Sequence, residues 1–416
     1  MKDKTYDIGI VGAGPAGYTA ALHAVKKGLS VILFEKDQTG GVCLNRGCIP
    51  TKTILHSALL YEELKEAENL GVHVEHISVD FKQVIEHKNK TVEKIRKNLE
   101  LVIKNAGILL VKAYAFIKDK NTIEADGSFY NCKKIIAATG SGPVSLKGMD
   151  VDRNFILNSD DILLLNKLPK SILIIGAGAI GIEWARIFAA FDVDVTVVEA
   201  AEHILPAADI EVSKRLERIF KTRKIKIYTG CIVEKIKDKK VHLSNGEILS
   251  PEKILTAVGR KANDTERIAG VTYLGDVCGQ IQLAHFAIKQ AVAEIDGIKF
   301  DTSLVPSVVY GNPETAWVGK REQDLEAGCY KKSMLLISAL GKSHCDNCTE
   351  GFIKLLVQND KIIGAHVVSK EASALIQEIL AAMQNGVTVS ALKEICFAHP
   401  TYSEGIFDSL FMLKDI

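Results

Sequence analysis

Two cysteines with a lysine downstream are the residues best suited to chemistry in this chain. Cys43 and Cys48 lie in the run Gly41-Val42-Cys43-Leu44-Asn45-Arg46-Gly47-Cys48-Ile49-Pro50-Thr51-Lys52. On a regular α-helix, positions i and i+5 hold their Cα atoms roughly 8–9 Å apart. A disulfide needs about 5.5 Å, so the pair closes only on an irregular turn. Gly47 supplies that freedom. Pro50 keeps Ile49 out of the helical region and suits a first helical turn. The pattern predicts an amphipathic helix from Thr51 to Asn69, stopped at Gly71. Cys48 then sits at a helix N-terminus near Lys52, where the thiolate is favoured. The pattern reads as a redox disulfide. Two small core residues that happen to be cysteine are the alternative.

The elements around this run must position it against something. Tyr6 to Val11 reads as a buried strand leading into Gly12-Ala13-Gly14-Pro15-Ala16-Gly17, then a helix to about Lys27 and a strand Val31 to Phe34 ending in Glu35. This is a βαβ unit with a dinucleotide fingerprint. Its glycines admit a pyrophosphate to the backbone, and Glu35 can accept hydrogen bonds from ribose hydroxyls. The pattern recurs: Ile172 to Ile175, then Gly176-Ala177-Gly178-Ala179-Ile180-Gly181, a helix to about Phe191, and Val195 to Val198 ending in Glu199. Glu35 follows Gly12 by 23 positions, and Glu199 follows Gly176 by 23. Each copy has a later partner strand, Lys134 to Ala138 before Thr139-Gly140, and Lys253 to Ala257 before Val258-Gly259-Arg260. Two dinucleotides are expected, with the cysteines beside the first. Asn158 to Asn166 reads as a helical connection, and Pro169 marks the start of the second unit.

The chain of 416 residues is long enough for two or three domains, and its 47% hydrophobic content suffices for their cores. A net charge of +1 without a basic stripe argues against nucleic-acid or anionic-membrane partners. Nine scattered cysteines do not form a secretory framework. The first strand begins too early for a signal or transit peptide, and no apolar run has membrane-spanning length. The expected setting is a reducing cytoplasm.

The cysteine run and the two glycine units resemble those of the class I flavoprotein disulfide reductases, closest to the dihydrolipoamide dehydrogenases. The likeness covers nearly the whole chain. It extends to Gly275-Asp276-Val277, Leu283-Ala284-His285, the segments from Val305 to Tyr310 and Pro313 to Gly319, and His399-Pro400-Thr401-Tyr402-Ser403-Glu404. The resemblance implies an α/β fold with two Rossmann-like dinucleotide-binding domains and a C-terminal α+β dimerisation domain. The implied boundaries are 1–142 for FAD binding with the redox disulfide, 143–262 for NAD binding, 263–300 for a return to the FAD domain, and 301–416 for dimerisation. A nicotinamide would exchange hydride with the flavin, and the flavin two electrons with the cysteines.

Family roles transfer by position. Cys43 matches the thiol that exchanges with substrate, and Cys48 the thiolate that contacts the flavin. Lys52 matches a lysine near the flavin, with Glu183 as its acidic partner near the nicotinamide; an ordinary surface pair is the alternative. Gly12, Gly14, Gly17, Glu35, Thr139, Gly140 and Asp276, with Gly176, Gly178, Gly181, Glu199, Gly259 and Arg260, match cofactor contacts. Glu199, with no Lys or Arg before Lys214, favours NAD over NADP. His399, oriented by Glu404, matches the acid and base for substrate thiols and reaches the disulfide of a partner subunit, whereas His285 is expected to be structural. No metal is expected. The implied enzyme is an NAD-dependent oxidoreductase acting as a homodimer on a lipoyl-bearing protein of a 2-oxoacid dehydrogenase or glycine-cleavage complex. Another NAD(P)H-dependent disulfide reductase, or a catalytically impaired subunit, are the alternatives.

Two departures stand out. Only 16 positions separate Gly259 from Gly275, where the family carries a longer passage and a strand leading into the Gly-Asp segment. Here that strand reduces to Val271 to Leu274, which could weaken FAD retention, expose a sheet edge or displace Asp276. The second is Cys345-Asp346-Asn347-Cys348 beside His344, in a loop without the family's asparagine-serine-arginine run. With no second cysteine pair at ligand spacing, these are expected to be loop thiols rather than a zinc or redox site. Cys132, Cys231, Cys278, Cys329 and Cys396 are expected to be packing residues. Phe352 to Gln358 and Lys361 to Val368 predict a hairpin across Asn359-Asp360, followed by a helix from Ala372 to Asn385.

Overall fold

A computed structural model describes residues 4–263 and 266–416. Short β-branched runs build the first sheet from β1 (Thr5–Val11). After α1 (Pro15–Lys26) and β2 (Val31–Phe34) come two helices that carry the cysteines, α2 (Gly41–Arg46) and α3 (Cys48–Glu66), and the long α4 (Phe81–Asn105). The strands β3 (Leu109–Val111), β4 (Ala115–Ile117), β5 (Thr122–Ala125), β6 (Ser128–Ala137) and β7 (Ser141–Pro143) follow. The sheet order is β3-β2-β1-β6-β5-β4, parallel through β6 and antiparallel beyond it. Gly12 therefore leaves the middle of the sheet at the carboxyl end of β1, where doubly wound folds bind ligands. The helix expected from Thr51 begins three residues earlier, at Cys48. Pro50 is its third residue, where a missing N–H costs no intrahelical bond. It ends at Glu66, and a 3-10 turn over Ala67–Leu70 completes the predicted length before Gly71.

The second unit repeats the plan. Its elements are β8 (Ile156–Leu157), β9 (Ser171–Ile175), α5 (Ala179–Ala190), β10 (Asp194–Val198), α6 (Ile210–Thr222), β11 (Lys226–Tyr228), a small antiparallel sheet of β12 (Val233–Lys237), β13 (Lys240–Leu243) and β14 (Ile248–Leu249), and then β15 (Lys253–Thr256) and β16 (Arg260–Ala262). The parallel order is β11-β10-β9-β15-β8. The helical connection expected over 158–166 is only a 3-10 turn, Asp161–Leu164. Asn158 Oδ1 accepts the N–H groups of Asp160 and Asp161, a local turn that competes with helix propagation. The core runs through α5, whose Trp184 and Phe188 are buried with Ile54 and Leu55 of α3. The redox helix and the second nucleotide unit thus share one hydrophobic contact.

Chain crossings tie the units together. β16 pairs antiparallel with β7, and β17 (Thr272–Tyr273) returns to the first sheet, Thr272 facing Ile136 of β6. The lead-in strand is only two residues long, yet it still adds to the sheet. Two residues of the shortened passage, Asp264 and Thr265, lie outside the described residues. α7 (Ala284–Asp296) then packs on the alanine face of α1 through Ala287 and Ala291. The rest of the chain forms an antiparallel sheet of order β18-β19-β22-β21-β20-β23. Its elements are β18 (Ser307–Val309), β19 (Glu314–Gly319), β20 (Lys331–Leu336), α8 (Gly341–Cys345), β21 (Phe352–Gln358), β22 (Lys361–Ser369), α9 (Ala372–Gln384), α10 (Val389–Leu392), α11 (Glu404–Phe411) and β23 (Lys414–Asp415). The predicted hairpin is present, with Asn359 and Asp360 both left-handed as a type I′ turn requires. Cys132 and Cys231 are buried and Cys278 half-buried, but Cys329 and Cys396 are exposed. The last two lie outside any helix or strand, on exposed connecting segments, rather than on inward strand faces. Among the described residues no helix is long and apolar enough to cross a membrane.

Candidate active site

Gly47 separates α2 from α3 at φ −140°, ψ −106°, and this break brings the two thiols together. A side chain there would press on Val42 O and the Cys43 Cα, at 3.2 and 3.4 Å. Both cysteines are free thiols, and Cys43 donates a hydrogen bond to Cys48. That bond, with the charge of Lys52, pushes the Cys48 thiol down to about 7, against the opposing effect of burial. The same bond and burial push Cys43 up. The geometry favours the thiolate on Cys48 over Cys43.

Lys52 and Glu183 are no surface pair. Lys52 Nζ lies 2.8 and 2.7 Å from the two Glu183 oxygens across 131 residues of sequence, and the Glu183 side chain is 7% exposed. Tyr310 completes the group from the third unit. Its ring lies under Lys52 Nζ at 4.7 Å, and its N–H donates to Glu183 Oε1 at 3.1 Å. Sequence reasoning missed Tyr310, because only the packing of β18 against α5 places it there.

The glycine loops are near copies. Gly12 and Gly176 have φ +102° and +101°, and an added Cβ would meet Ala138 O at 2.3 Å or Ala257 O at 2.6 Å. At Gly17 and Gly181 it would meet the carbonyl of the loop's first glycine at 1.8 and 1.9 Å. Glu35 accepts from Ala13 N at 2.8 Å and Asp37 N at 2.9 Å. Glu199 accepts from Ala177 N at 2.6 Å and Ala201 N at 2.8 Å. Each carboxylate keeps acceptor capacity for a ribose. Neither α1 nor α5 has a side-chain cap, which leaves first-turn N–H groups for a phosphate. The residues present fit a dinucleotide at both loops.

Asp276 stands in a 3-10 turn just after β17, and Ser141 Oγ donates to its Oδ2 at 2.6 Å. Ser141 in turn takes Arg260: Nε reaches its Oγ at 3.0 Å and a terminal nitrogen its carbonyl at 2.7 Å. Arg260 therefore acts on the first unit from the second, near Asp160 at 3.8 Å. Thr139 O accepts from Asn263 at 2.7 Å, while no described residue lies within 4 Å of a Cβ on Gly140 (φ +77°) or Gly259 (φ +105°). Ser141 carried no signal in the sequence, since its partners come from two distant crossings.

His399 lies apart from this group. Its Nδ1 is 2.8 Å from Glu404 Oε1, and Glu404 Oε2 accepts Thr401 N at 2.8 Å. That backbone bond and the imidazole hold the Glu404 carboxyl below its ordinary range. The ring is 76% exposed, and among the described residues no hydrogen bond or ion pair joins it to Cys43 or Cys48. His285 Nε2 pairs with Pro306 O at 2.8 Å, a structural contact. Cys345 is exposed at the end of α8 and burial raises the thiol of Cys348. Among the described residues no cluster of three or more His, Cys, Asp or Glu is placed to hold a metal.

A dithiol with one acidified sulfur, set between two dinucleotide cradles, defines a nucleotide-linked disulfide oxidoreductase. Residues 6–291 match the pyridine nucleotide-disulphide oxidoreductase family and residues 305–409 its dimerisation domain; the chain belongs to this family. FAD and NAD(H) are the family's cofactors. Curated relatives include the dihydrolipoyl dehydrogenase of Mycoplasma pneumoniae, 34% identical and 97% covered in both chains. That of Bacillus subtilis is 32% identical, with 96% of each chain covered. Among solved structures, LpdA from Mycobacterium tuberculosis superposes with a TM-score of 0.90 over 97% of this chain and 98% of that one, at 24% identity, a likeness of fold. The HOCl-induced flavoprotein disulfide reductase RclA from Escherichia coli gives 0.87 at 25% identity, covering 98% and 100%.

Proposed function

We propose that the chain is an NAD-dependent dihydrolipoamide dehydrogenase, a cytoplasmic homodimer that reoxidises a lipoyl-bearing protein of a 2-oxoacid dehydrogenase or glycine-cleavage complex. The observation that carries this reading is the acidified Cys48 beside Cys43 and the Lys52–Glu183 pair, at the junction of two matched cradles. Gly12, Gly14, Gly17, Glu35 and Asp276 would hold FAD, with Thr139 and Gly140 beside them. Gly176, Gly178, Gly181 and Glu199 would hold NAD⁺, with Gly259 and Arg260 at the crossing between the units. Bound flavin and nicotinamide supply the two-electron relay that returns the dithiol to the disulfide.

His399, oriented by Glu404, takes a proton from one substrate thiol. The resulting thiolate attacks the Cys43 sulfur of the disulfide, and Cys48 leaves as a thiolate stabilised by Lys52. The second substrate thiol, once deprotonated, displaces Cys43 and closes the cyclic disulfide of lipoamide. Substrate loses two electrons and two protons, and the cysteines gain the electron pair. Because, among the described residues, no hydrogen bond or ion pair joins His399 to its own chain's cysteines, it would serve those of the partner subunit.

The purified protein should be yellow and should reduce NAD⁺ with dihydrolipoamide. A colourless protein that FAD does not reconstitute would sink the proposal. For the dimer, His399→Gln and Cys43→Ser should each be inactive, and their exchanged subunits should recover about a quarter of wild-type activity. About half the dimers are then mixed, each with one intact site. Verified exchange without recovery rules out the arrangement across subunits.

A further inference from the structure

The loop over the first cradle carries a side chain with no role assigned above. Asn45 lies between the two cysteines. Its Nδ2 is 2.8 Å from Gly41 O, 3.1 Å from Thr39 O and 3.4 Å from Gln38 O, and its Oδ1 accepts from Arg96 at 3.3 Å. A planar amide has the two donors and the acceptor this arrangement uses. One turn further along α4, Glu100 accepts the Thr39 hydroxyl at 3.0 Å and pairs with Lys112. The long helix thus grips the same loop twice.

The loop in turn sits on the dinucleotide cradle. Gly40 N–H donates to Ala13 O at 2.8 Å. An added Cβ on Gly41 would come within 2.7 Å of the Gly14 Cα. Gly40 and Gly41 are both left-handed, at φ +98° and +60°, and have no side chain to pack. α2 has six residues, too few to hold itself by backbone bonds. The Asn45 amide joins these two weak pieces.

We propose that Asn45 is a positioning residue that locks α2 onto the first glycine loop, so that the placement of Cys43 against Cys48 and the binding of a flavin dinucleotide are set together. This rests on the proposed function, since it concerns that same site. The acidity of Cys48 depends first on the hydrogen bond from Cys43. Cys43 sits two residues before Asn45 and keeps that bond only while α2 stays seated.

The test uses the flavin-loaded dimer and two readouts other than turnover. One is the dissociation constant for FAD, from fluorescence of released flavin. The other is the pH midpoint of the thiolate-to-flavin absorption in the dithiol form. Asn45→Leu keeps the volume without the bonds; Asn45→Ala removes both and serves if the first variant does not fold. Each should bind FAD about tenfold more weakly, and the midpoint should rise by about one pH unit. Arg96→Leu, which spares both donors, should move each readout less than half as far. Wild-type values in folded Asn45 variants overturn the proposal. So does an Arg96→Leu effect as large as theirs, because the donors would then do nothing. A wild-type protein that never binds FAD would instead defeat the function proposed above and is told apart by that result.

Discussion

Gly14 and Gly178 hold equivalent places in two nearly superimposable loops, at φ −74° and −72°, yet their surroundings differ. Among the described residues, a Cβ on Gly178 would meet nothing within 4 Å, whereas one on Gly14 would touch the Gly41 Cα at 3.7 Å. The first cradle is roofed by the redox loop and the second is open. A roofed cradle suits a cofactor that stays through many turnovers, and an open one suits a nucleotide that comes and goes. One local design thus serves two purposes, and the covering loop makes the difference. The covering loop also carries the two cysteines.

The largest effect should come from removing the sulfurs that the roof carries. Cys43→Ser and Cys48→Ser should each lose lipoamide turnover by ~10³-fold or more. Only Cys43→Ser should keep the long-wavelength thiolate-to-flavin absorption; equal spectra would break the assigned polarity. The two cradles should separate next. Gly12→Ala drives a methyl into Ala138 O and should give a colourless protein. Gly176→Ala, colliding with Ala257 O, should stay yellow but lose NADH-driven flavin reduction on the order of a hundredfold. Loss of flavin in both variants would erase the distinction.

Acidity at the roof is a smaller lever. Cys48 is lowered below an ordinary thiol, so its thiolate is present above about 7 and is lost as pH falls through it. Lys52→Gln removes a charge that lowers it, and the midpoint of the absorption should move up by about a unit; an unmoved midpoint would detach Lys52 from the thiolate. At the open cradle, Glu199→Gln should narrow the preference for NAD⁺ over NADP⁺ by roughly tenfold, by relieving repulsion of a 2′-phosphate. Equal kcat/KM for both nucleotides in the unaltered protein would refute the cofactor assignment. The smallest effect on the fold belongs to Gly178→Ala, which should cost less than about 1 kcal/mol because no described residue lies within 4 Å of its Cβ. Its KM for NAD⁺ should nonetheless rise. An unchanged KM would mean that nothing approaches Gly178.

Much of the site was legible in the sequence because the chemistry is local. A left-handed glycine, a strand-to-helix turn, an acid 23 positions on and two cysteines around a glycine are all written in short windows. Both cradles, the break at Gly47, the His399–Glu404 pair and the Asn359-Asp360 turn match those windows. The reading slipped in two places, one of them itself local. The connection after Asn158 lost its helix to an Asx turn, and Cys329 and Cys396 met no core to enter.

The sequence by itself determined which backbone turns form and which side chains they expose, since torsional preferences and hydrogen bonds within a few residues act before any distant contact exists. Only the tertiary structure decided which of those groups meet. Lys52 reaches Glu183 across 131 residues because α3 and α5 share one hydrophobic face. Tyr310 joins them from a third sheet. Ser141 bridges Arg260 and Asp276 because two strands cross between units. The shortened passage before Asp276 still yields a strand, because two residues suffice where β6 already offers unpaired backbone groups. Such meetings depend on how whole faces pack, and no local spacing records that.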